Sequence, residues 1–97
     1  MIAQPKPSTA GQVAPEPGIT LYGTLWCGAT QRARRFLERQ KLAYRFRNIE
    51  TEPEAANQVR WWTGGDTSHP TLFINGEILI EPSIEALTGV LTRQGLI

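Results

Sequence analysis

The sequence predicts one α/β domain with the element order β-α-β-α-β-β-α, a four-stranded mixed sheet flanked by helices. Three observations carry that prediction. Short runs in which apolar residues alternate are separated by longer runs in which they recur at helical spacing. Asn75-Gly76 lies between two β-rich runs, which is the strongest short-range signal for a two-residue hairpin. Pro and Gly stand where the period changes. At 97 residues the chain suffices for one core and falls far short of two.

Each element has its own justification. Residues 1–18 are rich in Pro, Gly, Ser, Thr, Gln and Ala with almost nothing large and apolar, so burial cannot offset the entropy of ordering them. They are expected to form a disordered, Pro-rich tail, and the folded domain is expected over 19–97. Ile19-Thr20-Leu21-Tyr22-Gly23 alternates as a strand, and a loop carrying Trp26 and Cys27 follows it. From Ala29 to Gln40 helix formers dominate, with Ala33, Phe36, Leu37 and Gln40 on one face. Tyr44 to Ile49 alternates again and is expected to pair parallel to the first strand. A second helix opens with Glu52-Pro53-Glu54, continues through Trp61-Trp62 as core and half-exposed face, and stops before Gly64-Gly65. Thr71–Ile74 and Glu77–Ile80 make the hairpin. Pro82-Ser83 leads into Ile84, Leu87, Val90 and Leu91, a helical period that ends at Gly95. Strand order does not follow from pattern alone.

Composition narrows the function. A formal charge of +1 gives no electrostatic footprint for nucleic acid. The run Gln31-Arg32-Ala33-Arg34-Arg35, extended by Arg39 and Lys41, reads as a solvated helix face. One cysteine allows no intramolecular disulfide, which points to a reducing, cytoplasmic setting. No apolar leader stands in the first residues and no run approaches about 18 apolar residues, so neither export nor membrane spanning is expected.

Cys27 is the residue with chemistry. The thiolate is the nucleophile, and a cysteine with a pKa near 8.5 is only a few per cent ionised at neutral pH. A helix N-terminus corrects this: the free N–H groups of Ala29 and Thr30 are expected to point at the sulfur, and the Thr30 hydroxyl can donate as well. Gly28 lets backbone come close to the sulfur. A buried structural thiol is the other reading. Trp26 is either a lid beside the sulfur or plain packing. His69 is either a packed imidazole or a thiolate-stabilising one. Ser83 is either a plain N-cap or, with the neighbouring N–H groups, a carboxylate-binding helix end.

Taken together, Thr24-x-Trp26-Cys27-Gly28, Gly64-Gly65, Pro70-Thr71 and Pro82-Ser83 resemble glutaredoxins of the thioredoxin superfamily over Ile19 to Leu91, and in particular the short bacterial branch that includes mycoredoxins. The resemblance implies a thioredoxin fold and a cis bond before Pro70 that presents the His69 backbone to a thiol substrate. It also implies that Ser83 and its helix end hold one end of a low-molecular-weight thiol, with Arg60 and Gln58 candidates for the other end. Three departures matter. Thr30 stands where dithiol members have a second cysteine, Thr24 where many have Lys, and His69 where most have Val. The expectation is a monomeric monothiol oxidoreductase with glutathione or another low-molecular-weight thiol as co-substrate, mixed-disulfide proteins as clients, and no metal or organic cofactor. One alternative is an iron–sulfur cluster carrier, because Cys27-Gly28-Ala29-Thr30 also resembles the Cys-Gly-Phe-Ser motif of monothiol glutaredoxins. Against it stand Ala29 in place of Phe, the missing Lys, and Ile80-Glu81 where that group has Gly-Gly. The other alternative is a non-catalytic binding module.

Overall fold

The computed structural model describes residues 18–97. The tail expected over residues 1–18 therefore lies, apart from Gly18, outside the described residues. The elements are β1 (Ile19–Gly23), α1 (Gly28–Arg39), β2 (Arg45–Asn48), α2 (Pro53–Thr63), β3 (Thr71–Ile74), β4 (Glu77–Ile80) and α3 (Ile84–Arg93). They match the expected order, and the sheet is four-stranded in the order β2-β1-β3-β4. β1 and β2 are parallel, with Leu21 opposite Phe46, while β3 runs antiparallel to both β1 and β4.

The hairpin turn has positive φ at both central residues, 48° at Asn75 and 95° at Gly76. That is the signature of a type I′ turn, whose twist matches that of the flanking strands. The Asn75 N–H donates to the Gly18 carbonyl at 2.8 Å, which ties the start of β1 to this turn. α2 starts with Pro53, whose missing N–H costs nothing there, and ends at Gly64 in the left-handed conformation at φ 84°.

Neighbours on a strand point to opposite faces, so Leu21 and Tyr22 open two cores. On one face Leu21, Leu72, Ile74 and Leu79 pack against Ala33, Phe36 and Leu37 of α1 and Leu87, Val90 and Leu91 of α3. Six of these, Leu21, Leu37, Leu72, Ile74, Leu87 and Leu91, are fully buried, and each such side chain stabilises the fold by about 1.5–3 kcal/mol. On the other face Tyr22, Ala55 and Val59 form a smaller core joined by Ile49, Trp62 and Phe73. The Trp62 ring stacks on Phe73 at 5.5 Å and meets Tyr22 edge-on at 5.4 Å.

Three expectations about faces change. Gln40 is exposed because α1 stops at Arg39 and leaves it as the C-cap. Of the tryptophan pair only Trp62 turns to the sheet; Trp61 is 82% exposed, since adjacent helical residues lie about 100° apart. Arg34 leaves the solvated face of its run: its guanidinium lies 4.4 Å from the Phe46 ring centroid, and its Nε donates to the Tyr44 hydroxyl at 3.1 Å.

Candidate active site

Cys27 is the N-cap residue of α1, in extended conformation, and its carbonyl accepts the first helical hydrogen bond from Gln31 N–H at 3.0 Å. Cys27 is partly exposed rather than buried. The first turn of α1 contains no acidic residue, so no carboxylate competes for the positive helix end. Burial pushes the Cys27 thiol up, but more acts in the other direction. The Thr30 hydroxyl, the backbone N–H groups of Thr30 and Ala29, and the Arg32 guanidinium together bring it below its ordinary value.

Thr30 occupies the third position of α1, is fully buried, and its hydroxyl has no hydrogen-bond partner among the described residues. A hydroxyl donor at this place favours the ionised form of Cys27. Thr24, at the end of the strand β1, is 1% exposed, and its hydroxyl is likewise unpartnered. The steric demand for glycine falls on Gly23 rather than Gly28. Beyond its chain neighbours, a Cβ on Gly28 would meet Arg32 Nη1 at 3.4 Å, whereas a Cβ on Gly23 would lie 2.5 Å from Thr30 Oγ1.

The loop carrying the cysteine is held from three sides. Gln31 Nε2 donates to the Leu25 carbonyl at 3.0 Å and to that of Thr24 at 3.4 Å. The Trp26 indole N–H donates to Glu50 Oε2 at 2.7 Å. The Trp26 ring also meets His69 edge-on at 5.6 Å, which brings the cysteine loop and the segment before β3 together. Pro70 follows His69 through a cis peptide bond. His69 Nδ1 donates to the Thr67 carbonyl at 2.8 Å. The Pro70 carbonyl accepts from Glu81 N–H at 2.8 Å, which links this segment to the chain before α3.

Two expected residues stand differently. Ser83 is the N-cap of α3: its hydroxyl accepts from Ala86 N–H at 3.0 Å, which uses one of its acceptor sites. Arg60 is exposed on α2 and donates to Asn57 Oδ1 at 2.9 Å. A shallow open groove runs beside it, lined by Glu54, Asn57, Gln58, Trp61, Trp62 and Phe73. Gln58 belongs to that groove; Arg60 and Cys27 do not line it. Gly23 and Glu50 carry no sequence signal for this site, and Gln31 and Arg32 read from sequence only as part of a solvated helix face. The local signal that could have found Arg32 is its place four residues after Gly28 on one helix face.

Among the described residues no group of three or more His, Cys, Asp or Glu side chains is placed to hold a metal. No helix among them is long and apolar enough to cross a membrane.

A mixed sheet between helices, a cysteine capping the first helix and a cis-proline at the start of the third strand define the thioredoxin-fold class. The glutaredoxin family pattern matches residues 19–79. The Mycobacterium tuberculosis H37Rv protein provisionally named glutaredoxin Rv3198A is 33% identical over 76 residues, 77% of this chain and 90% of that protein. Among solved structures, the thioredoxin-like protein BC3987 aligns at 26% identity and TM-score 0.68, over 75% of this chain and 99% of its own. The Archaeoglobus fulgidus glutaredoxin aligns at 18% identity and TM-score 0.69, over 77% of this chain and 86% of its own. Buckwheat glutaredoxin, solved as a complex with glutathione, aligns at 17% identity and TM-score 0.61, over 82% of this chain and 72% of its own. The chain belongs to the glutaredoxin family, and its role is of the thiol–disulfide oxidoreductase type.

Proposed function

We propose that this protein is a monothiol oxidoreductase that removes a low-molecular-weight thiol, glutathione or another, from mixed disulfides. The observation that supports it most directly is Cys27 itself. It is the one cysteine of the chain, partly exposed, capping a helix, with two N–H groups and a buried hydroxyl disposed to favour its thiolate. In the first step the Cys27 thiolate attacks the small-thiol sulfur of the mixed disulfide. An S–S bond forms to Cys27 as the old one breaks, and the client leaves as a thiolate. In the second step another small-thiol thiolate attacks the same sulfur, restoring Cys27 and releasing the small-thiol disulfide. Two electrons pass from the small thiols to the mixed disulfide, and no metal or organic cofactor takes part.

Gly28, Ala29 and Thr30 serve the thiolate through the first helical turn. Trp26, His69 and Pro70 form one wall for the bound thiol, with the extended backbone before Pro70 open to pairing. Ser83 offers its remaining hydroxyl capacity and helix end to a carboxylate, and Arg60 offers a guanidinium from the exposed side of α2. Thr30, in the place of a second cysteine, leaves an adduct with a protein disulfide without an internal thiol to resolve it. The reading calls for a reducing compartment such as the cytoplasm and for a single subunit.

Paired assays test this: small-thiol release from a mixed-disulfide peptide, and reduction of insulin disulfides. The first is expected to proceed and to vanish in Cys27→Ser, with the second slow. Robust insulin reduction without mixed-disulfide activity overturns the proposal.

A further inference from the structure

We infer that Gly23 is a positioning residue for Cys27, because the space left by its missing side chain is what seats the Thr30 hydroxyl against the end of β1 and facing the sulfur. The inference rests on the oxidoreductase reading of Cys27 and adds to it a residue that never touches the substrate.

Gly23 is the buried last residue of β1, four positions before the cysteine, and Thr30 is three positions after it. A Cβ built on Gly23 would lie 2.5 Å from Thr30 Oγ1, 2.6 Å from Thr30 Cγ2 and 3.1 Å from Thr30 Cβ. The first two distances are too short for any real contact. Gly23 is not among the glycines with positive φ, so the requirement for glycine here is one of space, not of backbone conformation. Nor can Thr30 rotate out of the way. Threonine has two heavy γ atoms and three staggered positions, and two of those positions lie against Gly23. Every rotamer therefore keeps at least one heavy atom there. A side chain at 23 must push the first turn of α1 away from β1, and the hydroxyl moves with it.

The Thr30 hydroxyl is the part of the site with something to lose. It is fully buried and has no hydrogen-bond partner, so the Cys27 sulfur, whose thiolate it favours, is the acceptor that ionisation would offer it. The charged group that acts on Cys27 is Arg32 on α1, while His69 before β3 and Glu50 after β2 each contact Trp26 beside it. None of them is changed by substitutions at 23 or 30.

The experiment measures the pH midpoint of Cys27 alkylation and thermal stability for wild type, Gly23→Ala, Thr30→Ala and the double variant. Thr30→Ala is expected to raise the midpoint by about one unit, the loss of one charge-assisted hydrogen bond at a partly exposed site. Gly23→Ala is expected to raise it comparably and to lower the melting temperature. In the double variant the γ atoms are gone, so stability is expected to return toward that of Thr30→Ala while the midpoint stays where Thr30→Ala put it. Should Gly23→Ala fail to fold, a double variant that folds and keeps the Thr30→Ala midpoint supports action through the Thr30 γ atoms, and a double variant that also fails to fold overturns it. A double variant whose midpoint exceeds that of Thr30→Ala by more than about half a unit, or a folded Gly23→Ala with the wild-type midpoint, overturns the inference. Failure of the oxidoreductase reading looks different: wild type then lacks mixed-disulfide activity whatever the midpoints do.

Discussion

Replacing Thr30 by Val separates reactivity from stability, because the two respond with opposite signs. Valine keeps the branched shape that rests on Gly23 and removes only the hydroxyl, which is fully buried and unpartnered when Cys27 is a thiol. A hydrogen bond to a charged group contributes about 1.5–3 kcal/mol, and the lower figure suits a sulfur that is only partly buried. That corresponds to about one pKa unit. Below the midpoint the thiolate fraction falls about tenfold, while the more basic thiolate gains about threefold in intrinsic nucleophilicity. The net loss in alkylation rate is about three- to fourfold. The thiol form, by contrast, loses a buried hydroxyl that lacked a partner, a defect costing about 1–3 kcal/mol, so the variant is expected to be at least as stable as wild type at pH values well below the Cys27 midpoint. Alkylation rates against pH and thermal melts read the two effects. An unchanged midpoint, or a melting temperature several degrees lower at pH values well below that midpoint, refutes the assignment of the hydroxyl to the sulfur.

Other outcomes follow from the same structure. The Cys27 thiol sits below its ordinary value in the fold, so the ionised form favours the native state. Relative to Cys27→Ser, wild type gains stability in full above the unfolded value of about 8.5 and loses it as pH falls through the folded midpoint, which melts at a series of pH values measure. His69→Val leaves the alkylation midpoint within about one unit of wild type, because the imidazole is bonded to Thr67 and packed on Trp26; a larger rise makes it a thiolate partner. Leu72→Ala, fully buried in an inner strand, costs about 2–5 kcal/mol in denaturant unfolding, with the midpoint unchanged in the folded protein.

What the sequence disclosed and what it hid divide along a physical line. Asn75-Gly76 and Gly64 are visible because their conformations are set locally, by residues that tolerate positive φ. Cys27 at a helix start is visible for the same reason: the change of period and the capping position are properties of consecutive residues. The support around it is not consecutive. Glu50 reaches Trp26 only because β2 lies parallel beside β1, and Gly23 meets Thr30 only because α1 folds back over the strand that leads into it. Arg34 reads as a solvated charge in a basic run, yet its planar head lies over Phe46, an outcome decided by the aromatic opposite and not by the polarity of the residue. The strand order was beyond pattern for a similar reason, since alternation marks faces and not neighbours.

The central claim is that Cys27 accepts a small thiol from a mixed disulfide and gives it up to a second small thiol. Intact-mass analysis of the protein after brief exposure to one equivalent of a glutathionylated peptide tests this without coupled enzymes. The expected result is a single Cys27–glutathione adduct, with free peptide thiol in equal amount, that disappears on addition of glutathione and never forms in Cys27→Ser. A persistent adduct between Cys27 and the peptide itself, or no adduct at all in the folded protein, contradicts the account.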